Sequence, residues 1–359
     1  MPDHRAWVHV DLAALVRNAR ALAAHARVPL IPMVKADAYG LGAVAAAHAL
    51  EPLAPLAFGV SSIPEGEELR AAGITRAIIL FTQVTARDLD RLRWAGMTPT
   101  IGSRQHLEAW IAAGGGPWHL AIDTGMHRAG VNHDALDSML DLVAAHPPAG
   151  AFTHFHSAEL DDGSMEAQEA RFRAVLARLP QRPPIVHTEN SAGIVRRSPS
   201  AWDAVRPGVF LYGVGSWTSP DGDGLRPEPV VSLRARILEL RDVAPGEGVS
   251  YDATWRATRH ARIATVACGY ADGLRRHLGN RAHALVCGQR VPIRGVVTMD
   301  MAMVDVTDVA CDVGEVVTFL GTDGGVTITV EEAAALGGLS PYELLVGLKL
   351  RLPRVHSGV

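Results

Sequence analysis

Between residues 28 and 212 short apolar runs alternate with alanine- and leucine-rich stretches, and no other feature limits the fold as strongly. PLIPMV, LAFGV, AIILF, TPTI, WHLAI, GAFTHF, PIVHT and GVFLY begin near residues 29, 56, 77, 98, 118, 150, 184 and 208 and read as eight strands. Between them, AVAAAHAL, PEGEELRAAG, ARDLDRLRWAG, SRQHLEAWIAAG, HDALDSMLDLVAAH and MEAQEARFRAVLARL repeat apolar residues at three- and four-residue spacing, which predicts helices. Eight β–α units suit an α/β fold of the TIM-type (β/α)8 barrel kind. An open doubly wound sheet would show the same alternation. The strand count and the lack of a glycine fingerprint after the first strand favour the barrel, since Lys35 stands where that loop would be.

The texture changes after SWTSPDGDGLRPEP (216–229). VVSLRARILEL, ARIATVACG, HALVCGQRVPIRG, AMVDVTDV and EVVTFLG are strand-like, with turn residues between them and no long helices. We therefore expect a barrel domain over 1–225 and a smaller, mainly-β domain over 226–359. The opening strand, about 6–10, can belong to either.

Composition removes several function classes. Against 38 acidic residues stand 34 Lys+Arg, a net charge of −4 without long runs of one sign, which does not suit nucleic acid as the main partner. Asp and Arg interrupt the N-terminal apolar pattern, and no stretch approaches the roughly 20 apolar residues that span a bilayer. A cytoplasmic protein without a membrane partner is expected. Cys268, Cys287 and Cys311 are few and far apart, so neither a disulfide scaffold nor a metal site is expected, and the thiols read as mostly buried.

The sharpest chemical signal is VKADAYGLG (34–42), where a lone lysine ends an apolar strand. At the mouth of a barrel, Lys35 would be partly withdrawn from water, which favours the free amine needed for Schiff-base chemistry. By position alone, a snorkelling lysine fits equally well.

This segment resembles the cofactor-lysine motif of the alanine racemase family. The likeness continues in order through IDTGMHRAGV (122–131), THFHSAE (153–159), HTENSAG (187–193), VRPGVFLYG (205–213), GEGVSYDATW (246–255), GYADG (269–273), VVTMDM (296–301) and PYELL (341–345). The resemblance implies a barrel plus a C-terminal β domain, and racemisation of a free amino acid, alanine first, with pyridoxal 5′-phosphate (PLP). It implies that Lys35 binds the cofactor covalently. Tyr39, Asn190, Ser191, Tyr342 and the amides of Gly208 and Val209 would surround the phosphate. Arg206 would face the pyridine nitrogen, buttressed by His154, and Arg128 would contact the cofactor's phenolic oxygen and the substrate carboxylate. Met299 would offer its backbone amide to that carboxylate. Tyr251 would be the second catalytic base, acting across a homodimer interface, because racemisation needs a base on each face of a planar carbanion.

Two positions depart from the family pattern. Ala121 stands where some members carry a lysine, often carbamylated, so Arg128 must be positioned by another group or an anion. Val296 replaces an arginine that lines the substrate entrance of some members, leaving His187, Glu159 and Arg276 as polar candidates there. The alternatives are a racemase of serine, lysine or a broader range of amino acids, a non-catalytic PLP-homeostasis protein, which would lack the second domain, and a PLP decarboxylase.

Overall fold

A computed structural model describes residues 4–83, 85–215 and 224–358. Residues 216–223, within the expected domain break, lie outside the described part. The first strand, β1 (Ala6–Asp11), ends at Asp11, whose side chain accepts from Ala14 N and so starts the helix Leu12–Ala26.

A curled parallel sheet then runs through β2 (Phe58–Val60), β3 (Ile78–Leu80), β4 (Met97–Ile101) and β5 (His119–Asp123). A short β6 (Val131–Asn132) pairs beside β5, and the sheet continues through β7 (Gly150–Phe152) and β8 (Ile185–His187). Closure comes from residues 29–34, which bridge both edges: Met33 pairs with Gly59 and Leu30 with Val205. Ile31 N donates to Val205 O and Gly59 N to Pro32 O, while Arg206 N reaches Glu189 O beyond β8.

Two expected strands need correction. PLIPMV forms isolated bridges because Pro29 and Pro32 have no N–H to donate to a ladder. GVFLY is not the eighth stave: Val209–Tyr212 is a 3-10 turn buried beside Leu12–Ala26, and the stave is the preceding segment, 203–207. Full burial made its apolar run look like a strand, an ambiguity inherent in short apolar runs. The single helix expected over HDALDSMLDLVAAH is also broken, into Leu136–Ser138 and Leu140–Ala145. There the Ser138 hydroxyl donates to Ala135 O and competes with regular helix bonding.

The second sheet is built around the long strand β9 (Val231–Val243), which pairs antiparallel with Ala261–Val266, with Val316–Asp323 and with β1. β1 also pairs, in parallel, with Arg354–Ser357. Both ends of the chain are thus stitched into the C-terminal sheet. Cys268 and Cys311 are buried and Cys287 is exposed. No described helix is long and apolar enough to cross a membrane.

Candidate active site

The C-terminal ends of parallel barrel strands converge on one face, and residues from several staves meet there around a cavity of about 550 Å³. Of the residues singled out in the sequence, Lys35, Tyr39, Arg128, His154, Asn190, Ser191, Arg206, Gly208, Val209 and Tyr342 all line it.

Lys35 introduces an unusual backbone. Ala36, Asp37, Ala38 and Tyr39 follow with φ between 51° and 58°, a full left-handed turn built without glycine. Such residues cost roughly 1–2 kcal/mol each, so neighbours must impose the turn. Glu65 Oε1 accepts from Ala36 N at 3.0 Å, Asp37 Oδ1 accepts from Ala43 N at 2.7 Å, and Ala38 N donates to Val34 O. Burial, then the positive charge of Arg128, lowers the Lys35 ammonium below its ordinary value, and Glu65 acts in the opposite direction.

The turn delivers Tyr39 against Gly208, where an added Cβ would lie 2.4 Å from the tyrosine hydroxyl. Tyr39 also packs on Tyr212 at 4.8 Å between ring centroids, and burial raises its phenol above the ordinary range. Ser191 Oγ accepts from Gly208 N at 2.9 Å, and Asn190 caps the helix Ser191–Arg196 through its contact with Gly193 N. Asn190 thus both caps this helix and lines the cavity. Hydroxyls and main chain at the seventh and eighth staves thus form one polar recess.

Arg206 is buried at the cavity floor with neutral acceptors around it. Nη1 donates to His187 Nδ1 and His187 O, both at 2.7 Å, and Nη2 to Thr153 O at 2.8 Å and Thr188 O at 2.9 Å. His154 Nδ1 lies 3.3 Å from Nη2. Burial pushes the guanidinium down to about 9, so it stays charged at neutral pH. His154 is pushed down to about 3 by burial and by the cations Arg206, Arg128 and Lys35, and it stays neutral.

Arg128 rides on a loop held by Asp123, whose Oδ1 accepts from the amides of Gly125, Met126 and His127 at 2.9–3.1 Å. Burial would raise this carboxyl, but those bonds and His127 outweigh it and hold the group below its ordinary value. Gly130 lets the loop close, because a Cβ there would lie 2.8 Å from Asp123 N. Ala121 lines the cavity below, and no described side chain hydrogen-bonds the Arg128 guanidinium. The loop held by Asp123 carries Arg128 to the cavity, and residue 121 offers it no lysine.

The chain matches the family models "Alanine racemase, N-terminal domain" over residues 10–216 and "Alanine racemase, C-terminal domain" over residues 230–356. It belongs to the alanine racemase family. It is 38% identical to an alanine racemase of Sorangium cellulosum, over 97% of each chain. It is 36% identical to one of Nostoc sp., over 98% of this chain and 96% of that one. The crystal structure of alanine racemase from E. faecalis superposes with a TM-score of 0.91 at 31% identity, over 99% of this chain and 98% of that one. One from Bartonella henselae with covalently bound pyridoxal phosphate gives 0.89 at 30%, over 99% and 100%.

The alanine racemase signatures of the C-terminal domain lie elsewhere. Tyr251 is 68% exposed and Met299 53%, and neither lines the cavity of its own chain. Tyr251 is held in a tight turn, not the strand a packing tyrosine would occupy: Ser250 and Asp252 have φ of 65° and 61°. Ser250 Oγ donates to Val296 O at 2.7 Å, tying this turn to the Met299 loop. Buried Asp272, from GYADG, pairs with Arg351 at 2.7 Å, and Arg351 also reaches Asp300 beside Met299. Both exposed residues therefore sit on segments tied down by their neighbours' hydrogen bonds.

The polar candidates for the substrate entrance separate. His187 is not at any entrance: it is fully buried and stacks on Phe152 while accepting from Arg206. Glu159 is exposed and acts on Tyr342, whose phenol is raised by burial first and Glu159 second. Arg276 is exposed and does not line the cavity. Glu65, Asp123 and His119 went unrecognised in the sequence. Only Glu65 had a local signal, the Ser62-to-Glu65 capping box, and that signal described a helix start.

Proposed function

We propose that this chain interconverts L- and D-alanine with PLP, using Lys35 of one copy and Tyr251 of a second copy as the two bases. D-alanine for peptidoglycan would be the product in a cytoplasmic homodimer. The observation that carries the reading is the split between the two candidate bases. Lys35 lines the cavity, whereas Tyr251 is exposed and outside it, which supports a second base supplied by another copy.

The residues present fit PLP. The recess of Ser191, Tyr39 and close-packed Gly208 offers several donors to a phosphate, and the Gly208 position has no room for a side chain. A lysine with a depressed pKa suits covalent attachment, and Arg206, lining the cavity, would meet the ring nitrogen. Tyr342 and Asn190 complete the rim, with the amide of Val209 beside Gly208. When bound, PLP supplies the electron sink that lets the substrate Cα–H ionise.

The protein's own groups do the rest. Arg206 keeps its proton, so a ring nitrogen held against it would stay unprotonated and the sink would stay weak, which would disfavour transamination and decarboxylation. Arg128 offers a planar pair of donors to the substrate carboxylate, with the Met299 amide assisting from the second copy. For the D-isomer, Lys35 Nζ takes the α-proton and the Tyr251 hydroxyl gives one to the opposite face; for the L-isomer the roles reverse, the Tyr251 phenolate oxygen taking the proton and the Lys35 ammonium giving one.

Racemisation measured across a panel of amino acids tests the reading. Alanine is expected to be turned over best, and a clear preference for serine or lysine would replace alanine while keeping the reaction. Lys35→Ala should abolish the long-wavelength absorption of covalently held cofactor. Its persistence would remove Lys35 from the role.

A further inference from the structure

Arg206 is the first member of a buried chain that crosses the barrel. Nη1 donates to His187 Nδ1 at 2.7 Å, and His187 Nε2 lies 2.9 Å from His119 Nδ1. A guanidinium has no acceptor atom, so His187 Nδ1 must be unprotonated and the ring proton must sit on Nε2. His187 therefore donates to His119. The reverse direction would leave both nitrogens of His187 bare, an anionic ring in an apolar core. His119 in turn carries its proton on Nε2. Every tautomer is fixed by the one residue that cannot accept.

The surroundings keep both rings neutral and still. His187 and His119 are buried, and Phe152 lies parallel to His187 with an interplanar angle of 3°. Phe81 meets His187 edge-on, and His119 packs against Gly150, where a Cβ would come within 2.5 Å of the ring. Burial and the Arg206 charge push His119 down to about 4, and His187 lies well below its ordinary value for the same reasons, with His119 adding to them.

The consequence falls on Arg206. Both terminal nitrogens are committed to His187, Thr153, Thr188 and His154. Among the described residues Nε makes no hydrogen bond, and Arg206 lines the cavity, so Nε–H is the donor left for a group held there.

We infer that His119 is a positioning residue for Arg206: by accepting the Nε2–H of His187 it pairs the buried proton that the bond from Arg206 leaves facing the core, and so holds the ring where its Nδ1 and carbonyl oxygen fix the guanidinium. This rests on the assignment of Arg206 to the cofactor ring nitrogen. The role extends the site across the barrel to a side chain on β5 that lines no part of the cavity.

Histidine 15N chemical shifts of the labelled holoenzyme test it directly. In the unaltered protein both rings should be neutral with the proton on Nε2; a His187 proton on Nδ1 would overturn the inference whether or not the racemase reading stands. His119→Phe leaves the His187 Nε2–H unpaired in the core, which should turn the ring away from Arg206 into a mixed tautomer with a kcat loss of about tenfold or more, as misplaced polar groups do. His119→Gln keeps an acceptor and should restore the tautomer and most of kcat. Equal losses in both variants, with the His187 tautomer unchanged, would reduce His119 to packing. An altered tautomer with kcat intact would leave the chain in place but detach it from Arg206's proposed part in the reaction, and so overturn the positioning role.

Discussion

The Glu65 carboxylate holds the main chain immediately after Lys35, accepting from Ala36 N at 3.0 Å through Oε1 and from Ser61 N at 2.7 Å through Oε2. One side chain thus closes the capping box of helix Ile63–Ala71 and pins the start of the left-handed turn. Glu65→Ala should cost about 1–2 kcal/mol of unfolding free energy from the lost cap and the unpaired amide. It should also weaken retention of PLP, because the turn carries both Lys35 and Tyr39. Denaturant unfolding and cofactor dialysis check the two effects. A stability loss with unchanged cofactor retention would show that the turn is held by Asp37 alone.

Gly208→Ala should be more damaging to the cofactor site than its single methyl suggests. The new Cβ would meet the Tyr39 hydroxyl at 2.4 Å and must displace it from the recess shared with Ser191. A PLP dissociation constant raised about tenfold corresponds to only about 1.4 kcal/mol. Equilibrium titration of the apoenzyme measures it, and unchanged affinity would place the phosphate elsewhere.

Arg128 is one of the two causes that hold Lys35 down, the larger being burial. Arg128→Gln should therefore raise the Lys35 pKa toward its ordinary value. The midpoint for capture of PLP by the apoenzyme, followed by absorbance against pH, should move to higher pH. An unmoved midpoint would assign the whole depression to burial. The stability sign follows from linkage: a lowered folded-state pKa means that, between it and the unfolded value, the unfolded chain holds more protons. Stability then rises with pH through that window.

Tyr251→Phe should slow α-proton removal from L-alanine far more than from D-alanine, since on the proposed division Lys35 would still serve the D-isomer. Exchange of the α-proton with solvent deuterium, measured separately for each enantiomer, separates the two faces. Equal losses would remove the division of labour between the bases.

The parts of the site legible in the sequence are those whose chemistry sits in one short segment. Lys35, Ser191 and Arg206 each end or follow a stave, and their motifs read without knowing the three-dimensional neighbours. What was not legible depends on staves meeting. His119 and His187 are 68 residues apart and touch only because β5 and β8 close round the same core. His187 was accordingly placed at the entrance, where its polarity made sense, instead of in the interior behind Arg206. Glu65 is not legible as a site residue because its second partner, Ala36, lies 29 residues earlier. The barrel itself was legible from its alternation. Its eighth stave was misplaced because the more apolar segment, Val209–Tyr212, is the buried turn beyond it.

The central claim is that one chain cannot complete the site. Mixing inactive Lys35→Ala and Tyr251→Phe proteins under conditions of proven subunit exchange measures it directly. If Tyr251 serves the cavity of a second copy, half-mutant dimers hold one intact site, and activity should return to roughly a quarter of the unaltered enzyme's for random pairing of two copies. No recovery despite exchange would mean that each site is built within its own chain, and would contradict the account.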